Sequence, residues 1–169
     1  GQIWATTLMR IWNILGRTKT DTAFLEGLSL TNSGTNQQNA AIAVRQAAIN
    51  MCYTCADVKT MTDKFTAAGY TMSAVPLTIC CPSNQTVTAG AGNTYVVPSF
   101  TSLSNTISQT CNAVITQSPA AGAVLAPGTY PVTMTATSGT SVNCGFSLIV
   151  EANLGVEDMV KNNFIVYPN

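Results

Sequence analysis

The sequence predicts an α+β protein of two units, a small α-helical unit followed by an antiparallel β-sandwich of the immunoglobulin-like type. Two observations support this division. Ten of the fourteen charged residues lie within residues 1–74, where apolar residues recur at helical spacing. Residues 65–150 carry no Asp, Glu, Lys or Arg but contain 25 Ser and Thr residues, which alternate with apolar ones. The predicted units are residues 1–74 and 75–152, followed by a linker and tail over 153–169.

The first three helices are predicted over residues 1–16, 21–30 and 36–51, with Gly16 ending the first. The buried face of the first helix is predicted to contain Trp4, Leu8, Ile11 or Trp12, and Leu15. In the third helix the faces are set by Ile42, Val44 or Arg45, Ala48 and Ile49. The chain starts without a capping residue, so we expect the first helix to continue a longer parent protein.

A fourth helix is predicted from its two ends. Thr54 and Asp57 form a capping-box pattern that opens it, and Gly69 lies in the position where glycine ends a helix. Between them, Val58, Met61 and Phe65 are spaced to face a core. The predicted helical core is thin, which is typical of a part of a larger domain.

The second unit contains a predicted β-hairpin. Within residues 129–137, one face carries Tyr130, Val132, Met134 and Ala136, and the other carries threonines. After a turn at 138–140, residues 144–150 alternate in the same way. Shorter strands are predicted at residues 77–81, 86–88, 94–97 and 113–117. Six or seven short strands with Gly and Pro turns predict the immunoglobulin-like sandwich.

Composition narrows the function classes. The chain has no histidine, its net charge is zero, and its uncharged stretch offers no paired carboxylates or catalytic triad. Without a basic patch, neither nucleic acid nor an anionic membrane is an expected partner. No apolar run reaches the length of a membrane span. We therefore expect no catalytic, metal-binding or cofactor-binding residue in this chain.

The six cysteines, an even number in a weakly charged chain, predict disulfides and an oxidising compartment. A metal site is the alternative, but Cys52 and Cys55 supply only two of the four ligands of structural zinc. These two residues form either a redox pair or, as we expect, a local structural disulfide between two helices. Cys80 and Cys81 are neighbours on a predicted strand and point to opposite faces, so we expect separate partners.

The second unit resembles the hyalin-repeat (HYR) family of extracellular immunoglobulin-like modules. The resemblance is carried by residues 79–82 (Ile-Cys-Cys-Pro), 125–137 and 143–150. It implies a bridge between Cys81 and Cys144, and a second bridge at Cys111 for which Cys80 is the available substitute partner. The acidic residues of the family are absent here, so no calcium is expected. The exposed threonine face is expected to be a solvated strand face, and contact with an extracellular protein or glycan is the alternative.

The tail resembles the start of the C-terminal sorting domain of Bacteroidetes type IX secretion. The matching residues are 154–158 (Leu-Gly-Val-Glu-Asp) and 164–169 (Phe-Ile-Val-Tyr-Pro-Asn). This resemblance implies a secreted or cell-surface protein whose full-length parent uses the type IX machinery. In such a source, Asp21-Thr22-Ala23 fits an O-glycosylation pattern at Thr22, and a capping Asp21 explains the same residues equally well.

Residues 1–74 resemble the C-terminal helical subdomain of thermolysin-like and fungalysin-like zinc metallopeptidases. Residues 1–8 are similar to the helix after the family's last catalytic histidine, and residues 41–51, 54–57 and 65–70 to its closing helices. The zinc ligands of that family lie upstream, so zinc is expected only in the parent protein. Two hypotheses follow: the non-catalytic end of a secreted zinc metallopeptidase, or a non-enzymatic cell-surface adhesion or assembly protein.

Overall fold

The computed structural model describes residues 1–153, in which four α-helices precede eight β-strands. This order confirms the α+β class predicted from the sequence. The predicted sorting-domain start at residues 154–169 lies outside the described residues.

The helices form the predicted series. They span Gln2–Leu15 (α1), Arg17–Ser29 (α2), Gln37–Asn50 (α3) and Cys55–Ala67 (α4). Helix α2 begins earlier than predicted because Gly16 alone separates it from α1. Gly16 has a φ of 84°, a left-handed conformation that glycine adopts without a steric penalty, so the chain turns there within one residue.

The predicted capping box of α4 is confirmed. The backbone N–H of Asp57 donates to Thr54 Oγ1, and the N–H of Thr54 donates to the Asp57 carboxylate. At the other end Gly69 has a φ of 91°, and the N–H of Tyr70 donates to the carbonyl of Phe65. Side chains thus satisfy polar groups at the start of this helix, and the backbone of the following turn satisfies them at its end.

An aromatic cluster fills the core of the helices. The fully buried Phe65 lies 5.9 Å from the ring of Trp4 and 6.0 Å from that of Tyr70, measured between centroids. Both pairs fall in the range where aromatic rings attract each other beyond their area burial. In α1 it is Ile11 that is buried, whereas Trp12 is 37% exposed. The other buried apolar residues of the helices are Ala23, Ala41, Ala43, Val44, Ala47, Ala48, Ile49, Val58 and Met61.

The strands form three small sheets. They span Thr78–Cys80 (β1), Gln85–Thr88 (β2), Tyr95–Val96 (β3), Asn105–Ile107 (β4), Val114–Ser118 (β5), Val124–Leu125 (β6), Gly128–Ser138 (β7) and Thr140–Glu151 (β8). The largest sheet has the order β2-β8-β7-β5, with β2 parallel to β8 and the other pairs antiparallel. Two antiparallel pairs, β1–β4 and β3–β6, complete the sheets of the described residues.

The predicted hairpin is the centre of the second core. Strands β7 and β8 pair along their length from Gly128↔Val150 to Ser138↔Thr140. Their inward face carries the buried residues Val132, Met134, Ala136, Phe146, Leu148 and Val150. Opposite them lie Val97, the rings of Phe100 and Tyr95, and Leu125, so apolar groups from the β3–β6 side close this core.

Candidate functional site: the junction between helices and sheets

The residues that connect the helices to the sheets are held by side-chain hydrogen bonds and by disulfides. We define the junction as the corner between α3 and α4, the linker of residues 70–76 and the β1–β4 pair. Side chains on the two faces of this pair enter different cores. Ile107 is fully buried among the helices, whereas Ile79 packs against the core of the sheets. The period of two along a strand therefore lets one ladder serve both units.

The linker has no strand partner, and side chains satisfy its backbone instead. Gln38 of α3 makes two hydrogen bonds to Thr71, accepting from its N–H at 2.9 Å and donating to its carbonyl at 2.7 Å. Ser73, two residues along the linker from Thr71, accepts a hydrogen bond at its carbonyl from Arg45 of α3 at 2.7 Å. After another two residues, the N–H of Val75 donates to Gln109 at 2.8 Å. An extended linker is thereby fastened to α3 and to the end of β4 at every second residue.

Arg45 is the most unusual of these side chains. It is only 3% exposed, and it donates to both the carbonyl and the hydroxyl of Ser73. Burial lowers the pKa of its guanidinium from the ordinary value. Within residues 1–153, no carboxylate pairs with Arg45 and its Nε has no hydrogen-bond partner. Burying a cation without a carboxylate partner costs free energy of folding. Here the two hydrogen bonds of Arg45 to Ser73 hold the linker against α3.

A second set of contacts fixes the α3–α4 corner to the sheets. The side-chain amide of Asn105 in β4 donates to the carbonyls of Cys52 and Tyr53, at 2.9 and 2.7 Å. Disulfides join Cys52 to Cys80 of β1, and Cys55 to Cys111 in the segment between β4 and β5. Both bridges cross from the helices to the sheets, so the two units are covalently joined beside the linker.

This map corrects two expectations. The local bridge between Cys52 and Cys55 was wrong, because each of them finds a partner in the strands packed against the corner. The chain at Cys52 has a φ of 59°, and Cys55 begins α4, so the two residues belong to different local structures. Cys80 as the partner of Cys111 was also wrong, since Cys80 lies on the helix side of β1 and pairs with Cys52. As no thiol is left free, the redox-pair alternative has no support.

The third bridge lies within the sheets. It joins Cys81 to Cys144 of β8, the pairing that the HYR resemblance implies. Cys80 and Cys81 therefore have separate partners on opposite sides of β1, as expected for neighbours on a strand. All six cysteines are bridged, and three disulfides fit a secreted or extracellular protein.

A charged contact supports the corner from the other side. Lys19 Nζ lies 2.6 Å from the Asp57 carboxylate, and the hydroxyl of Tyr53 donates to the carbonyl of Lys19 at 2.8 Å. Although partial burial favours the neutral form of Asp57, hydrogen bonds from Lys19 and Thr54 lower the pKa of its carboxyl. Burial raises the pKa of the Tyr53 hydroxyl. These contacts pin the start of α2 against the start of α4.

Thr22, the candidate for O-glycosylation, is exposed on α2, one residue after Asp21. The carboxylate of Asp21 pairs with Arg17 at 3.3 Å within the same helix. Thr22 is thus exposed to solvent, and its side chain lies beside the Tyr53 hydroxyl at the α3–α4 corner.

Two surfaces outside the junction stand out. Helix α1 exposes Ile3, Met9 and Ile14, beside a groove lined by Thr6, Arg10 and Ala68 among others. The outward face of the large sheet is hydroxylated. Its central row, set by register, is Thr116, Thr135 and Asn143.

The side chains of the junction make hydrogen bonds, disulfides and apolar contacts. Within residues 1–153, no group of three or more His, Cys, Asp or Glu side chains could hold a metal ion. None of the helices described there is long and apolar enough to cross a membrane. The sequence predicted the cysteines as candidates, but it missed Arg45, Gln38 and Asn105 as organising residues. Only the apolar setting of Arg45 in a predicted helix could have marked it in advance.

Comparison with known proteins adds no relative. No protein-family model matches the chain, and no curated protein or solved structure matches it significantly.

Proposed function

We propose that this chain is the non-catalytic C-terminal part of a secreted zinc metallopeptidase, where it fixes an extracellular β module to the end of the catalytic domain. One observation carries the proposal: the helices and sheets are joined by two disulfides and a fastened linker. Such a junction holds a module at a set orientation, whereas a flexible tether would need none of these contacts. In the parent, upstream residues would supply the zinc site and the hydrolytic chemistry.

The helical unit supports the peptidase part of the proposal. The sequence of residues 1–74 resembles the closing helices of thermolysin-like and fungalysin-like enzymes, and the cap at Thr54 and the glycine end at Gly69 are among the features on which that resemblance rests. The outward face of α1 carries apolar groups, with Ile3 63% exposed, and Arg10 is its only charge. A helix that is apolar on most sides is normally covered. We assign the covering surface to the catalytic domain of the parent.

The second unit supports an immunoglobulin-like module of the HYR type. Its long β7–β8 hairpin faces the shorter β3–β6 pair across an apolar core, and Cys81–Cys144 joins β8 to the residue that follows β1. The first strand of the large sheet, β2, runs parallel to the last, β8. The absence of charge over residues 65–150 favours a role as a spacer or contact surface without calcium.

Secretion completes the proposal. Three disulfides suit an oxidising compartment, and the tail at residues 154–169 resembles a type IX sorting signal. The parent would then be exported by that machinery and act at or outside the cell surface, in a Bacteroidetes source.

A non-enzymatic adhesion protein is the second candidate, and the hydroxylated sheet face favours it. Thr116, Thr135 and Asn143 form one row of an uncharged outward face that could contact a protein or a glycan. In this reading the helices would be a scaffold with no catalytic parent.

The parent protein separates the two candidates. We expect its coding sequence to contain a His-Glu-x-x-His motif upstream of Gly1, and the purified full-length protein to bind zinc and hydrolyse casein until a chelator is added. The isolated 169-residue chain serves as the control and should show neither zinc nor hydrolysis. A parent without motif, zinc or activity would refute the peptidase proposal. Retention of the isolated chain on cells or glycan arrays, lost in Thr135→Lys, would then support adhesion.

A further inference from the structure

The positions of the disulfides along the chain have a mechanical consequence. Cys52 is bridged to Cys80, the next residue is Cys81, and Cys81 is bridged to Cys144. A continuous covalent path therefore runs from Cys52 to Cys144 through two bridges and one peptide bond. The Cα–Cα distances are 6.0 and 5.8 Å across the bridges. With one peptide step added, the whole path spans about 16 Å.

We propose that the chain is a force-bearing link of short reach, in which the bridges carry tension past the linker and the sheets. The bypassed segments have sequence separations of 28 and 63 residues. Stretched out, these roughly 90 residues would add about 300 Å at about 3.5 Å per residue. Pulling on the two ends cannot extend them while the bridges are intact.

The adjacency of Cys80 and Cys81 is what makes the path short. Because neighbours on a strand point to opposite faces, β1 turns one sulfur toward the helices and the next toward β8. If the two cysteines lay far apart, the chain between them would extend under load. The fold thus uses one strand as a node between a bridge from each unit.

The remaining bridge acts as a reserve. Cys55–Cys111 lies off the shortest path while the other two bridges are intact. If Cys81–Cys144 is lost, the shortest route from Cys52 to Cys144 runs through Cys55 and Cys111, contains about 35 residues and adds about 120 Å. If Cys52–Cys80 is lost, the shortest route runs along residues 52–81 and through Cys81–Cys144, and it adds about 90 Å. Both additions are well short of the full release.

Load falls on the parts outside the path. These are helices α1 to α3, which precede Cys52, and the end of β8 after Cys144. We therefore expect tension to extend only the helices before Cys52 and the residues after Cys144, while residues 81–144 add no length. This path follows from connectivity, so it holds for a peptidase parent and for an adhesion protein alike.

Single-molecule force spectroscopy on the 169-residue chain, attached at its two termini, tests the proposal. The oxidised protein should show extension from the helices and from the residues after Cys144, with no added length from residues 81–144. Dithiothreitol gives two electrons and two protons to each bridge, forming two cysteine thiols and the cyclic oxidised reagent. The stretched length should then increase by about 300 Å. An equal stretched length before and after reduction would overturn the proposal.

Paired Ser variants identify the path. Cys81→Ser with Cys144→Ser should lengthen the stretched oxidised chain by about 120 Å, and Cys52→Ser with Cys80→Ser should lengthen it by about 90 Å. The matched control, Cys55→Ser with Cys111→Ser, should leave the length unchanged. A change of length in that control, or release of the sheets in the oxidised wild type, would contradict the proposed path. The stretched length depends on which disulfides are present and not on how well the variant folds. A poorly folded variant is therefore still informative, provided that non-reducing peptide mapping confirms its remaining bridges.

Discussion

The helices and the sheets of this protein are stabilised in different ways. The helical unit contains the ion pairs of the described residues, side chains cap the starts of α3 and α4, and an aromatic cluster around Phe65 fills its core. The sheet unit has one charged residue, Glu151, and relies on a long backbone ladder and on Cys81–Cys144. Helices leave polar groups unpaired at both ends, whereas strands pair theirs with neighbours. The sheet unit is therefore stabilised with almost no charged side chains, because its backbone groups form hydrogen bonds between neighbouring strands.

The junction decides whether these units behave as one. Two bridges, the Asn105 amide and the fastened linker all cross between them. Both tryptophans lie in α1, so tryptophan fluorescence reports on the helices, while hydrogen exchange of the β7–β8 amides reports on the sheets. If the two probes report the same unfolding transition, the helical unit and the sheet unit unfold together; separate transitions mean that they unfold independently.

The largest effect is expected when both junction bridges are removed, by Ser at Cys52, Cys55, Cys80 and Cys111. Each bridge closes a long loop, so together we expect a loss of at least about 5 kcal/mol in the free energy of unfolding. Urea unfolding followed by both probes should show the helices unfolding before the sheets. Coincident transitions in this variant would mean that non-covalent contacts alone couple the units.

Phe65→Ala should cost about 4 kcal/mol, because it opens a cavity at the centre of the helical core. Its counterpart in the sheets, Phe146→Ala, removes a ring that lies 5.1 Å from Phe100 and should cost a similar amount. With the bridges intact, each substitution should shift both probes together. A shift confined to one probe would show that the units unfold independently.

Arg45→Lys should cost about 1–2 kcal/mol, since a lysine cannot donate to the carbonyl and hydroxyl of Ser73 in the same geometry. Limited proteolysis should then cut within residues 70–76, which the wild type protects. Arg10→Lys, an exposed arginine on α1, is the matched control and should change neither stability nor cleavage. If the linker of Arg45→Lys stays uncut, the hydrogen bonds of Arg45 to Ser73 do not hold the linker in place.

Asp57→Asn should cost about 1 kcal/mol at neutral pH, by weakening the cap at Thr54 and the contact with Lys19. The pKa of Asp57 is lowered on folding from its ordinary 3.8, so its carboxylate stabilises the protein above that value. This contribution is lost as the pH falls through 3.8 toward the folded pKa. Unfolding curves of wild type and Asp57→Asn should therefore converge in acid, and a constant gap down to pH 2 would argue against the assignment.

The smallest effect is expected on the outward face of the large sheet. Thr135→Val keeps a β-branched side chain and should change stability by less than about 0.5 kcal/mol. On the inward face, Val132→Thr places a hydroxyl among apolar groups and should cost about 1–3 kcal/mol. Equal losses for the two variants, measured by urea unfolding, would mean that the outward threonines are packed.

The sequence by itself determined the class and most of the elements. Helical spacing, the cap at Thr54 and Gly69 located the helices, and alternation along residues 129–150 located the long hairpin. These signals are local, since they depend on residues a few positions apart. The same reasoning missed β4 and β6, which are three and two residues long and show no period of their own.

Tertiary packing decides the partners of Cys52, Cys55, Cys80 and Cys111, whereas the sequence resemblance already implied Cys81–Cys144. The motif Cys52-x-x-Cys55 suggested a local bridge, but packing of the β1–β4 pair against the α3–α4 corner gave each cysteine a distant partner. The apolar setting of Arg45 in its helix only hints at burial, which depends on the linker folding back along α3. Such pairings depend on the path of the whole chain, because contacts distant in sequence are fixed by packing and not by local preference.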